Sequence, residues 1–448
     1  MFPPNPFDTG FDRVLTMIIV LLFWGYAVVA LVRCLQRRRP KLAVTGPLTI
    51  AYGIRVVSIA GVTATGIGGT LRGGDEIHFL DIAHQIAASP FGSRGWLPFG
   101  SHGLYEIVFA LQLRFGQFTV DTMRITEVGL AIIGTTLIVV SVYDLAGSRA
   151  ARLTAWLLAL EPASIFFSEV LHKEPFMMLA VGLVVFGATK TWERLRFSGV
   201  ALMAAGSAVA VATRPYAGWF LISAAVFLTM HASVRNLDQR GRAVTLLLAV
   251  VGGVVVATPV VLQKTSKRSL AALQVSQNAN ATQPAQTGNN LALESVNFSS
   301  RGAIITNLPK RIRDLLLRPW PWQVNDASQR LGVAGTLVAY VALYLLALYA
   351  VRCRRRVLDS AAPLLYPLFF LLIAYSLAVG NAGTGFRYRS QLVVLMIATV
   401  VLLRARWLAD ATTSVARPSW MRSKPLWSGR IPATAMGPHA NVAPRSPG

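Results

Sequence analysis

The chain has 448 residues, of which 54% are hydrophobic and only 14% charged, and its mean hydropathy is +0.52. Soluble domains carry roughly 25% charged residues, so this chain cannot cover a water-exposed surface, and a bilayer is its consistent solvent. The net charge of +24, from 43 basic and 19 acidic residues, would point to nucleic acid in a soluble protein. Here the basic residues sit in short clusters between apolar runs, as the positive-inside rule expects of cytoplasmic loops. The expected partners are therefore membrane lipids and not nucleic acid.

A crossing helix needs about 20 mainly apolar residues. On that basis spans are predicted near 14–33, 46–68, 125–146, 152–168, 175–190, 198–213, 216–233, 243–262, 331–351, 360–380 and 389–404. The fold class is an all-α, polytopic transmembrane helical bundle of about eleven spans. The first twelve residues hold no Lys or Arg, and the run behind them is long enough to span, so no cleavable signal peptide is expected. Cys34 and Cys353 each end an apolar run beside a basic cluster and form neither a disulfide framework nor a metal spacing.

Loop charge orients the spans. Arg37 to Arg39 with Lys41, Arg149 to Arg152, Arg194 with Arg196, Arg235 to Arg242, and Arg352 to Arg356 are basic loops, as is the segment from Arg404. With these in the cytoplasm, the N-terminus and the loops 69–124, 169–174, 263–330 and 381–388 lie outside, as does the short Arg214-Pro215 connection. This requires that the short run Leu104 to Phe115, interrupted by Glu106, does not cross and forms an interfacial or re-entrant helix. In the loop 263–330 the centre is rich in Gln, Asn, Ala and Thr, and Ile304 to Leu317 has an amphipathic pattern. The paired tryptophans of Arg318-Pro-Trp-Pro-Trp322 suit a headgroup zone. The expected organisation is an N-terminal span with its basic loop (1–45), a transmembrane core (46–404) and a basic, Pro-rich, disordered cytoplasmic tail (405–448).

Four outside segments could carry chemistry. The first is Gly73-Gly-Asp75-Glu76-Ile77-His78, continuing through Asp81 to His84. As a helix starting near Asp75 it puts Asp75, His78 and Asp81 on one face and Ile77, Leu80, Ala83 and Ala87 on another. A carboxylate there could deprotonate a sugar hydroxyl from a fixed element at the membrane; Asp75 after two glycines is also a good helix N-cap. The second is Ser168-Glu169-Val-Leu-His172-Lys173-Glu174-Pro175. Lys173 could meet a phosphate as a point charge and His172 or Glu174 could assist proton transfer, while the bland alternative is a polar turn whose Pro175 opens a helix. The third, Arg214-Pro-Tyr216, could snorkel or bind an anionic headgroup. The fourth, Arg387-Tyr-Arg389, sets two arginines on the side where the positive-inside rule disfavours them, and phosphate recognition is their direct physical use. Together these segments offer cations for a lipid-linked phosphate beside a carboxylate that could take a proton.

In this order the motifs resemble the GT-C superfamily of membrane glycosyltransferases, and are similar to those of bacterial protein O-mannosyltransferases and lipid A aminoarabinose transferases. The resemblance runs over about 46–404. It implies an inverting glycosyltransferase of the bacterial inner membrane that takes sugar from a polyprenyl-phosphate donor to a lipid, glycan or protein acceptor of the cell envelope at the extracytoplasmic face. Asp75 stands at the place of that family's catalytic base with Glu76 supporting it; His78, Asp81, His172, Lys173, Glu174, Arg214, Arg387 and Arg389 are the expected substrate-binding residues. Gly103-Leu-Tyr105 through Met123-Arg124 resembles an amphipathic segment of the family, and Glu161-Pro162 to Glu174-Pro175 a motif ending in a charged pair. The chain departs from the pattern in its additional first span, in having no carboxyl-terminal soluble domain within these residues, and in having His78 and Phe79 where a tyrosine is usual. No cofactor is specified, and a divalent metal is left open. Two rival classes are an O-antigen polymerase or ligase acting on polyprenyl-pyrophosphate glycans, and a lipid or glycan transporter, for which Arg55 inside the second span would be a usable residue.

Overall fold

The computed structural model describes residues 10–65, 74–97, 103–116, 119–236, 300–320 and 327–415 apart from 355, with isolated positions at 274–275, 278–279, 293 and 322. The predicted span 243–262, the sequences Asn280-Ala-Thr and Asn297-Phe-Ser that match the glycosylation sequon, and the tail after 415 lie outside the described residues. The described residues are helical, with no β-strand among them. We number the helices α1 (Gly10–Arg37), α2 (Thr45–Thr65), α3 (Gly74–Ala88), α4 (Leu104–Gly116), α5 (Val120–Ala146), α6 (Ser148–Ala159), α7 (Pro162–Phe166), α8 (Glu174–Glu193), α9 (Phe197–Thr213), α10 (Pro215–Arg235), α11 (Arg301–Leu317), α12 (Ala327–Arg352), α13 (Val357–Ala378) and α14 (Ala382–Val415). Residues up to Trp407 form one compact unit; of the second unit, from Leu408 onward, the last turns of α14 are described.

Eight of the described helices are long and apolar enough to cross a membrane: α1, α2, α5, α8, α10, α12, α13 and α14. The protein is thus a polytopic helical bundle. Helix α9, at 17 residues, is a shorter apolar helix. It packs closely on α8, where Gly187 and Gly199 face each other and a Cβ on either would overlap the other helix. The same device joins α5 to α8 through Gly134 and Gly182.

The segment 152–168 departs from the expectation of one continuous span. It forms α6 and α7, separated at Leu160 and Glu161. Pro162 cannot extend the preceding helix and holds Glu161 extended, at φ −67° and ψ 115°. The segment nonetheless returns from one end of the bundle to the other. Glu127, near the start of α5, meets the backbone of His172, just before α8. Asp144, near the end of α5, pairs with Arg39 and lies close to Glu193 at the end of α8. Helices α5 and α8 therefore run parallel, and α6–α7 makes the return crossing between them.

The break sits where Arg55, deep in α2, can serve it. The Arg55 guanidinium donates to the carbonyls of Leu158 and Ala159, at 3.3 Å each, and to Ala51 at 2.9 Å. Glu161 in turn accepts from the backbone N–H groups of Ala163 (3.0 Å) and Ser164 (2.6 Å), capping α7. An arginine and a glutamate thus satisfy the orphan carbonyls and amides of a helix interrupted within the bundle. Arg55 is explained by this duty.

The bundle has two chemically different ends. Arg39, Asp144, Lys190, Glu193, Trp192, Arg235, Arg352 and Arg406 gather at one, which we call the basic end. At the other, α3 and α4 pack on each other and on Met123, Leu171 and Phe176, forming a small core of their own around Ala83, Ile86, Tyr105 and Phe109. Helix α4 is 13 residues long, about 20 Å. Its Arg114 donates to the carbonyls of Ala87 and Ser89 at the end of α3, and its Glu106 lies 4.0 Å from Lys173. It stays at this end, as the reading of 104–115 as a non-crossing helix requires. The amphipathic run 304–317 is helical within α11.

Candidate active site

The return crossing ends in the loop Val170–Lys173, and α8 begins at Glu174 with Pro175 in its first turn. Three more chain segments meet this loop: the α9–α10 junction at Arg214, the start of α14 at Arg387 and Tyr388, and Phe79 of α3. Together they enclose a cavity of about 250 Å³ lined by Phe79, His172, Lys173, Glu174, Thr213, Arg214, Pro215, Tyr216, Arg387 and Tyr388. Five residues expected from sequence in three separate motifs (His172, Lys173, Glu174, Arg214 and Arg387) thus share one cleft.

Arg214 can sit there because Pro215 ends α9 and starts α10 with almost no loop between them. Its Nη2 donates to Glu174 Oε1 at 2.6 Å, and both side chains are over 90% buried. Burial is the largest single influence and works against the charged guanidinium, but the Glu174 carboxylate and the surrounding tyrosines Tyr216, Tyr388 and Tyr375 together outweigh it and hold Arg214 well above its ordinary pKa. Among the described residues, Arg214 Nη1 and Glu174 Oε2 have no hydrogen-bond partner. Buried polar atoms are rarely left so in the absence of a role, and both belong to residues lining the cleft.

The other cations are more open. Lys173 Nζ lies over the rings of Tyr105 (4.6 Å) and Phe79 (5.1 Å), contacts worth about 0.5–1 kcal/mol each at partly exposed sites. Arg387 is half-buried, with Nη1 3.3 Å from His172 Nδ1. An arginine only donates, so in this contact His172 Nδ1 is the acceptor. Beneath Arg214 lies an aromatic floor: the Tyr388 ring is 4.4 Å from its guanidinium, Tyr375 stacks on Tyr388 at 4.8 Å, and Tyr216 closes the side.

The other expected residues lie elsewhere. Arg389 is 1% exposed and donates to the carbonyls of Leu316 (2.8 Å) and Arg318 (3.0 Å) and to the Thr336 hydroxyl (2.7 Å). Two residues on from Arg387 in a helix it faces away, and it ties α14 to the end of α11 instead of contacting the cleft. His78 and Asp81 are exposed, because α3 buries the face that carries Glu76, Ala83 and Ile86. Ile77, expected on an apolar face, is 64% exposed for the same reason. Asp75 stands in the first turn of α3, and its side chain is outside the described residues. Glu76 is 5% exposed: one oxygen pairs with Arg124 and the other accepts from the Leu171 N–H at 3.0 Å. Glu76 therefore fastens α3 and the loop to α5.

Sequence reasoning assigned no site role to Arg124, Glu127, Glu106 or the tyrosines, although several of them stand in the motifs it named. Arg124 and Glu127, three residues apart at the start of an apolar run, were visible as charges inside a span, which are costly and usually retained for a role. A separate cavity of about 470 Å³ adjoins Arg124, lined also by Glu76, Asp121, Thr119, Val120, Val14 and Met17. No group of three His, Cys, Asp or Glu side chains that could hold a metal is present among the described residues.

No protein-family profile matches the chain, and no curated protein sequence matches it. Among solved structures, one similar chain is the archaeal oligosaccharyltransferase AglB from Archaeoglobus fulgidus, in complex with an inhibitory peptide and a dolichol-phosphate, at 13% identity and a TM-score of 0.39. The match covers 83% of this chain and 53% of that protein, so the chain spans about half its length.

Proposed function

We propose that the protein is a GT-C-type membrane glycosyltransferase that moves a sugar from a polyprenyl-phosphate carrier to a cell-envelope acceptor at the extracytoplasmic face of the bacterial inner membrane. The observation that carries this reading is the cleft itself, where Lys173, Arg214 and Arg387 from three motifs converge with His172 at the end of the bundle opposite the basic loops. An apolar carrier can remain in the bilayer while its phosphate enters such a cleft. Arg387 and Lys173 are its main ligands, Arg387 by forked donation and Lys173 as a point charge. Arg214, committed to Glu174 through one nitrogen, offers Nη1.

In the proposed reaction an acceptor oxygen attacks the anomeric carbon, forming the new glycosidic bond as the bond from that carbon to the phosphate oxygen breaks. The electron pair leaves with the phosphate as polyprenyl phosphate, whose added negative charge the cleft cations stabilise. The acceptor proton passes to a carboxylate, to which we assign Asp75, at the start of α3. Attack opposite the leaving phosphate inverts the anomeric centre.

The transporter reading loses the residue that favoured it, since Arg55 serves the broken helix. The test is transfer of radiolabelled sugar from polyprenyl-phosphate donors to endogenous acceptors, in membranes holding equal amounts of wild type or Asp75→Asn. Transfer by wild type and its loss in the variant support the reading. Equal transfer by both removes Asp75 from the mechanism, and transfer only from pyrophosphate-linked glycans replaces the reading with that of a polymerase or ligase.

A further inference from the structure

The loop Val170–Lys173 delivers two of the cleft's polar groups, His172 and Lys173, and leads directly into a third, Glu174, yet it is only four residues long and lies between two helices. Two carboxylates hold its backbone from behind. Glu76 of α3 accepts from the Leu171 N–H at 3.0 Å, and Glu127 of α5 receives the next amide, His172 N–H, at 3.2 and 3.4 Å to its two oxygens. Glu76 is itself fastened by Arg124. Glu127 differs: it is 0% exposed, within an apolar helix, and His172 N–H is its one hydrogen-bond donor among the described residues. The charged groups around it are Glu174 and Glu76, which repel it, and Arg124.

That is an expensive way to satisfy a single amide. A neighbouring carbonyl or a threonine would do so without a buried acid, and ionisable groups inside a membrane protein persist where they serve a function. What Glu127 supplies is reach. Its side chain spans from the α5 axis to the backbone of the residue whose imidazole meets Arg387 and whose successors are Lys173 and Glu174. We infer that Glu127 is a positioning residue: by anchoring His172 N–H it sets the register of His172, Lys173 and Glu174 against Arg214 and Arg387, and so determines affinity for the carrier phosphate, including the polyprenyl monophosphate that the proposed reaction releases. This rests on the donor reading above.

Two substitutions separate reach from charge. Glu127→Gln keeps an acceptor oxygen at the same distance and removes the carboxylate. Glu127→Asp keeps the carboxylate and withdraws it by about 1.5 Å, one carbon–carbon bond. Binding of a short-chain polyprenyl monophosphate to the purified full-length protein in detergent is measured alongside its melting temperature. The expected result is binding within about threefold of wild type for Glu127→Gln and about tenfold weaker for Glu127→Asp, both with melting temperatures close to wild type. Wild-type binding for both variants, or loss with Glu127→Gln and retention with Glu127→Asp, overturns the positioning role. Failure of both variants to fold assigns Glu127 to the fold instead and overturns it too. If wild type itself does not bind the monophosphate, the assignment of this cleft to the carrier phosphate falls and this inference falls with it.

Discussion

The two ends of the bundle use charge in opposite ways. At the basic end the arginines mostly stand in solvent: Arg38, Arg149, Arg152, Arg194, Arg352, Arg354 and Arg404 are exposed. The main ion pair there, Arg39–Asp144, is 12–14% exposed at its side chains. At the other end, Arg124–Glu76 and Arg214–Glu174 are 2–8% exposed, and Glu106, Glu127 and His172 are buried beside them. Exposed charge orients a chain in the membrane at little energetic cost. Buried charge costs several kcal/mol per ion unless it is paired and hydrogen-bonded, so it is worth keeping only where it builds something. Here it builds the cleft.

The contrast can be broken most forcefully at Arg124. Removing one partner of a buried pair leaves an uncompensated charge, so Arg124→Ala, which strands Glu76 and frees Asp121, is expected to cost about 3–5 kcal/mol. Thermal unfolding in detergent checks this. The double variant Arg124→Ala/Glu76→Gln should recover part of the loss, because the stranded charge is gone. Equal losses from the single and double variants would show that the pair is not coupled.

A smaller effect is expected at Arg387, which is half-buried, while the buried carboxylate of the cleft, Glu174, pairs directly with Arg214. Arg387→Ala should weaken donor binding about tenfold, or about 1.4 kcal/mol, with little change in melting temperature. Arg39→Ala, at the basic end, should do the reverse. Loss of its two bonds to Asp144, at 2.5 and 2.6 Å, should cost about 1 kcal/mol of stability and leave donor KM unchanged. Asp144 raises the Arg39 pKa chiefly through that hydrogen bond, so the Arg39 guanidinium keeps its charge across the physiological range.

The gentlest test carries no expected energetic effect. His78 and Arg354 are both exposed and lie at opposite ends. In intact cells a membrane-impermeant maleimide should label His78→Cys and spare Arg354→Cys until the membrane is opened. The opposite pattern would invert the sidedness on which the proposed function depends.

Much of this was legible in the sequence, and the reasons are local. Length and apolarity of a run determine whether it can cross, so the helices around 14–33, 46–68, 125–146 and 175–190 follow from composition. The basic clusters identify which helix ends belong together. The motifs that supply His172, Lys173, Glu174, Arg214 and Arg387 were visible because charge outside the basic loops, or between closely spaced spans, is conspicuous against an apolar background. The sequence could not say which way each side chain faces. Arg387 and Arg389 are two residues apart and look alike in a motif, but helical geometry turns one to the cleft and the other to the end of α11. Asp81 and His78 look like Glu76 in a motif, yet only Glu76 is on the face that α3 buries. The crossing at 152–168 was expected as one helix; whether Pro162 would break it depended on Arg55, about a hundred residues earlier, being near enough to satisfy the broken ends. Composition and spacing thus determined the solvent, the places of most long helices and the residue types available for chemistry, since each depends on the chain's own local pattern; about eleven spans were expected, and eight of the described helices are long and apolar enough to cross. Tertiary packing decided which buried charges pair, and so which remain to meet a ligand, because a charge in low dielectric is governed by its nearest neighbour in space.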